Sequence, residues 1–179
     1  MTERQDRHAV GVPTPRVDGI DKTTGRAIYT SDIKMEGVLF AKTLRSPFPH
    51  AKILSIDTSE AERLPGVHAI VTGQDIHQGA RHGRAVVDVP VIAQGRVRFV
   101  GEQIAAVAAD DEDTAQKAID LIRVEYEEIP AVLNMDEATS SDAPLVHEDM
   151  FEINGYPKEI SEPSNIYTVF EWSKGDVEL

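Results

Sequence analysis

The chain has 179 residues, 41% of them hydrophobic and 27% charged, a length that suits one domain plus an appended segment. It carries 18 Lys and Arg against 31 Asp and Glu, a formal charge of −13, and no basic run, which argues against nucleic acid as a main partner. Cysteine is absent, which excludes disulfides, thiolate metal sites, Cys-held iron–sulfur clusters and a Cys nucleophile within this chain.

Residues 1–19 are polar and contain Pro13 and Pro15, so they predict an extended arm. Their start lacks the apolar stretch of a signal peptide, and the longest apolar run, 104–109, falls far short of the ~20 residues a membrane helix needs. The expectation is a cytoplasmic protein without a membrane partner. Residues 21–25 have turn chemistry and 26–29 form a short strand candidate. Residues 38–44 predict a strand with Phe40 and Leu44 on one face and Lys42 between them, followed by the turn Ser46-Pro47-Phe48-Pro49 and a second strand over 51–56. Residues 57–62 open a short helix, in which Ser59 and Glu62 have capping-box spacing, and Pro65-Gly66 stops it.

The β-branched run 67–71 predicts a buried strand, and 73–84 a loop. Residues 86–93 are extended but interrupted by Pro90, which suits an edge. A strand over 96–100 then leads through Gly101-Glu102-Gln103, a bulge candidate, into the apolar strand 104–109. The clearest helix covers 111–122, where Ala115, Ala118, Ile119 and Ile122 make one apolar stripe and Asp110, Asp111 and Asp113 favour the positive end of the dipole. Val124 and Tyr126, alternating with Arg123, Glu125 and Glu127, predict a half-buried strand. Residues 134–164 are acidic and punctuated by Pro144, Pro157 and Pro163, which reads as a linker. A last β-like stretch at 166–172, with nothing after it to pair with, suggests a piece of something longer.

No complete active site emerges from these residues. His77 and His82 are the closest histidine pair, but they lack the helical spacing of a metal site and lie in a glycine-containing loop. His68 alternates within an apolar strand and is expected to be a satisfied β histidine, not a base. Phosphate-cradling glycine motifs and a nucleophile elbow are missing. Glu125, Glu127, Glu128, Asp136 and Glu137 invite a glycosidase reading, yet by pattern they occupy a solvated strand face and the linker. Gln103 beside Gly101 could be a polar site group but is expected instead to terminate a strand. No catalytic, cofactor-binding or metal-binding residue is therefore assigned.

The order of segments resembles a known family. Val10-Gly11-Val12-Pro13-Thr14-Pro15-Arg16-Val17-Asp18, then Lys22-Thr23-Thr24-Gly25-Arg26-Ala27-Ile28-Tyr29 and Asp32-Ile33, are similar to the opening of the molybdenum-binding large subunit of xanthine dehydrogenases, aldehyde oxidases and aerobic carbon monoxide dehydrogenases. Leu44-Arg45-Ser46-Pro47 with His50-Ala51, Leu64-Pro65-Gly66-Val67, Val97-Arg98-Phe99-Val100-Gly101-Glu102 and Val124-Glu125-Tyr126-Glu127 with Leu133 follow in the family's order. So do Ala143-Pro144-Leu145-Val146-His147 and residues 165–177.

The resemblance implies an α+β fold of the α/β-hammerhead type, with a mixed sheet of bent strands, two main helices and an extended C-terminal tail. It implies an arm over 1–19, the hammerhead over 20–133, a linker over 134–164, and from 165 to 179 the truncated start of a molybdopterin-binding region. The implied parent binds molybdenum with a pterin cofactor and oxidises an aldehyde, N-heterocycle or similar small substrate. Iron–sulfur clusters and FAD would sit on partner subunits or domains. This chain would be a non-catalytic part that packs against the molybdopterin region and partner subunits, with Arg45 either anchoring that docking or bonding its own turn. The alternative is a freestanding binding or scaffold protein with the same fold.

Overall fold

A computed structural model describes residue 11 and residues 13–156 and 161–176. It divides into two units, residues 1–38 and 39–179. Most of the expected arm lies outside the described residues.

In the first unit, a one-turn helix α1 (Gly19–Thr23) occupies the start of the expected turn, and a 3-10 turn spans Thr30–Asp32. The strand expected over 26–29 does not form. The amides of Arg26 and Ala27 both donate to the Asp21 carbonyl, so the chain folds back on the helix end instead of extending. Gly25, at φ +70°, makes that reversal without a Cβ penalty.

The second unit is built from antiparallel strands. One three-stranded sheet has the order β1 (Phe40–Arg45), β7 (Gln103–Ala109), β3 (Val67–Thr72). The other has the order β6 (Arg96–Val97), β2 (Ala51–Asp57), β8 (Arg123–Glu128). A two-residue ladder joins β4 (Arg81–His82) to β5 (Val89–Pro90). The fold is α+β as expected, but its described strands pair only antiparallel, in separate small sheets and not in one mixed sheet.

Strand β7 explains how one chain segment serves two cores. Leu44 faces Ala105 while Arg45 faces Gln103, so Ile104 is the extra residue of a bulge just after the position expected for one. Beyond it, alternation along β7 divides its side chains between the two faces. Ala105 and Val107 join Ala61, Ala118, Ile119 and Ile122 in one cluster, whereas Ile104 turns into a second with Ala51, Ala93 and Val97. Leu44, Ile56 and Val124 border both.

Helix α3 (Glu112–Leu121) supplies the predicted stripe, and Asp111 caps it by accepting the Thr114 amide at 2.8 Å. Helix α2 (Ser59–Glu62) forms where expected, but its capping box does not. The Asp57 carboxylate takes both the amide and the hydroxyl of Ser59, and Glu62 accepts from Thr58 instead. Asp57, two residues upstream, thus takes the Ser59 amide that a capping box would give to Glu62.

Strand β3 is an outer strand with His68 and Ala69 exposed, not a buried one, because only β7 covers its edge. The strand expected over 96–100 ends at Val97, and residues 98–102 form a tight turn closed by Gly101 at φ +92°. The described residues of 134–164 include one helical turn, α4 (Met135–Ala138), and a 3-10 turn, Met150–Glu152, with Met150 completely buried and Ile153 almost so. Residues 166–172 are not a strand. They run as irregular chain with Val169, Phe170 and Trp172 exposed, because no neighbouring strand offers them a ladder among the described residues.

Candidate functional site

Residues 98–102 are held from two sides. The Ser46 amide donates to the Glu102 carbonyl at 2.9 Å, the Gly101 amide to the Ser46 carbonyl at 2.8 Å, and Arg45 Nη1 to the Gly101 carbonyl at 2.8 Å. Arg45 therefore bonds the turn of its own domain. The Glu102 side chain, 2% exposed, accepts the Arg98 amide at 2.5 Å through Oε2. This clamp leaves Phe99 and Val100 projecting at the turn's tip.

Beneath the turn lies a buried group of charges that sequence reasoning missed. Arg81 on β4 pairs with Asp149, and Arg98 Nε donates to the Val146 carbonyl at 3.1 Å. Arg96 on β6 meets Glu148 at 3.2 Å, and His147 Nε2 lies 3.6 Å from Asp88 Oδ2. Glu102 Oε1, Arg81 Nη1, His147 Nδ1 and Asp149 Oδ1 are all buried without a hydrogen-bond partner.

This environment moves several titrations. Burial pushes the Glu102 carboxyl above the ordinary carboxylate value, against the opposing pull of the Arg98 amide and charge. Burial and then the Arg98 charge push His147 down, against Asp88 and Asp149. Burial would raise Asp149, but the charge and hydrogen bond of Arg81 outweigh it and hold that carboxyl low. Arg98 is itself lowered, chiefly by burial. The only sequence signal for this cluster was the recurrence of Arg81, Arg96 and Arg98 before an acidic run at 148–149. Nothing in that spacing shows that the two segments meet.

The residues weighed from the sequence fall elsewhere. Glu125 accepts the Ser55 hydroxyl at 3.0 Å and Glu127 pairs with Lys52 at 2.9 Å, both on the exposed face shared by β2 and β8. Glu137 donates its amide to Asn134, the cap of α4. His68 Nε2 donates to Asp110 Oδ1 at 2.6 Å, so it is satisfied although exposed. His50, for which the sequence offers no site signal, is buried and sits 2.6 Å from the Pro130 carbonyl through Nδ1, which must carry the proton. Gln103 begins β7 and its carbonyl accepts the Ala93 amide at 2.7 Å. Among the described residues no three His, Asp or Glu side chains converge as metal ligands would, and no helix is long and apolar enough to cross a membrane.

A cleft of about 340 Å³ opens between β2 and residues 73–78 and 93–95. One of its polar groups, Gln94, is taken up by the facing 73–79 segment: Oε1 accepts the Gly79 amide, and Nε2 donates to the Gly73 and His77 carbonyls. The cleft has no titratable side chain in its lining.

Comparison with known proteins gives these features a family. The a/b hammerhead domain of aldehyde oxidase and xanthine dehydrogenase matches residues 24–130. A probable xanthine dehydrogenase component of Bacillus subtilis (strain 168) is 41% identical over 162 residues, covering 87% of this chain and 22% of that protein. The carbon monoxide dehydrogenase large chain of Afipia carboxidovorans is 36% identical, covering 98% of this chain and 22% of its own length. A solved structure of reconstituted CO dehydrogenase from Oligotropha carboxidovorans superposes with a TM-score of 0.74 at 38% identity, over 78% of this chain and 18% of that one. The chain thus spans about a fifth of the length of these relatives. By sequence and by fold it belongs to the aldehyde oxidase and xanthine dehydrogenase family and carries that family's a/b hammerhead domain.

Proposed function

We propose that this chain is the N-terminal, non-catalytic part of the large subunit of a molybdenum hydroxylase. The observation that carries the reading is the match over 24–130 to a domain whose relatives are about five times longer. The part packs against the remainder of the large subunit, and the exposed Phe99 and Val100 on a rigid turn, with Val169, Phe170 and Trp172 further along the chain, supply apolar surface for that contact. Residues 1–19 serve as the arm, 20–133 as the hammerhead, 134–164 as the connection and 165–179 as the entry to the cofactor region. The complete enzyme works in the cytoplasm with iron–sulfur and flavin partners.

Molybdenum with a pterin is the cofactor of such a parent, and the residues here do not fit it. The buried cations are met by this chain's own carboxylates and carbonyls. The tight glycines Gly73, Gly83 and Gly155 press on this chain's own backbone carbonyls and not on an open cradle. The cofactor is therefore assigned to the remainder of the parent.

An antibody against this chain, applied to native extract, tests the reading. The expected result is a polypeptide much larger than 19.7 kDa that co-purifies with molybdenum. A native 19.7 kDa band free of the metal would overturn it.

A further inference from the structure

Residues 145–155 lie over the β4–β5 ladder and the 98–102 turn as a strap. Its attachments are of two kinds. Met150 and Ile153 are buried, the Val87 amide donates to the Asn154 carbonyl at 2.9 Å, and Gly155 at φ +95° passes so close that a Cβ would stand 2.2 Å from the Ala85 carbonyl oxygen. The other attachments are charges. Arg81 holds Asp149, Arg98 holds the Val146 carbonyl, and Arg96 holds Glu148. Beyond the strap, Asn165 accepts the Val146 amide and donates to the Ala138 and Pro144 carbonyls, tying the apolar segment 166–172 to the strap's start.

From this arrangement we propose that His147 makes the strap an acid-sensitive latch, docked when the imidazole is neutral and loosened when it is protonated. The imidazole is 14% exposed and its Nδ1 is buried with no partner, so an added proton there would be unsatisfied. The elements packed around it are unequal in charge. Arg81 on β4 and Arg98 on the turn repel an imidazolium. Asp88, 3.6 Å away beside β5, and Asp149 on the strap attract it, but Asp149 is already engaged by Arg81. Glu102, beneath, faces Arg98 and resists ionisation, which limits its help to an additional cation.

The sign follows from the depressed histidine. Docking is fully stabilised above the ordinary histidine value, and that stability is lost as pH falls from there toward the lower value of the docked state. A second loss follows at more acidic pH, where Asp149, held low by Arg81, takes its proton. Opening would release 166–172 from the domain without dissolving either sheet.

Hydrogen exchange of the 179-residue chain at pH 7.5 and pH 5, corrected for intrinsic rates, reads this directly. The Val87 and Val146 amides are expected to lose protection severalfold at pH 5 while amides of β7 keep theirs. His147→Gln should abolish the acid loss. Asp88→Asn, which removes the imidazolium's nearest counter-charge, should enlarge it. Equal protection of Val87 at both pH values would overturn the proposal. So would a loss that His147→Gln leaves intact, or one shared by β7, which would mark global unfolding.

Discussion

Glu102 shows how much one side chain can depend on its surroundings. In the sequence it is only part of a bulge candidate, yet it is among the largest side chains fully enclosed by the fold. Its raised titration means that the folded state prefers the proton. The associated stability is present below the ordinary carboxylate value and is lost as pH rises through the higher native one. Glu102→Gln keeps an acceptor for the Arg98 amide and removes the buried charge. Its stability relative to the parent chain, measured by urea unfolding, should therefore be more favourable at pH 7 than at pH 4. Gly73 makes the opposite point, since space and not conformation is what it supplies. A Cβ there would lie 2.2 Å from the Ala93 carbonyl oxygen, which is backbone and cannot step aside. Gly73→Ala should lower stability by about 1–3 kcal/mol in denaturant melts.

Single elements carry their own consequences. Strand β7 feeds two cores from its two faces, and the fully buried Ile104 packs with Ala51, Ala93 and Val97 in one of them. Ile104→Ala should cost about 2–5 kcal/mol in denaturant unfolding. Helix α3 rests on the Asp111 cap, whose carboxyl is held low first by the Thr114 amide and then by the Thr114 hydroxyl. That contribution is present above the ordinary carboxylate value and lost as pH falls through the lower native one. Asp111→Ala should lower the thermal midpoint at pH 7 and flatten its decline in acid, and Asp111→Asn should restore much of the midpoint without the acid dependence. The same elements show what was legible beforehand. The stripe of α3, the alternation of β8 and the existence of strands β1 and β2 follow from short-range pattern, although β1 and β2 enter different sheets. The 26–29 and 166–172 stretches have strand-like composition but no ladder partner among the described residues, and a strand cannot satisfy its backbone alone. Strand β3 formed as expected, but its place at the edge of the sheet is a property of pairing order.

For the molecule as a whole, the relation to longer relatives sets the expectations. Trp172 is the chain's single tryptophan and is 85% exposed. Its fluorescence in the 179-residue chain should be red-emitting and readily quenched by acrylamide. In the proposed full-length parent, where this segment would be covered, the same residue should emit further to the blue and resist quenching. Unchanged exposure there would count against packing through this segment.

Composition, charge and local periodicity by themselves determined a cysteine-free, acidic α+β chain, the positions of its main helix and strands, and through motif order its family resemblance. These are properties of neighbouring residues and of their succession, so no contact map is needed to read them. The tertiary structure alone decided that both faces of β7 are covered, giving Ile104 a core apart from that of Ala105 and Val107, and that Arg45 bonds the Gly101 turn. It also decided that Arg81, Arg98 and Glu102 meet His147 and Asp149 in one buried cluster. Those outcomes join segments some fifty to seventy residues apart. Long-range pairing, and the desolvation that comes with it, leaves no periodic trace in the sequence.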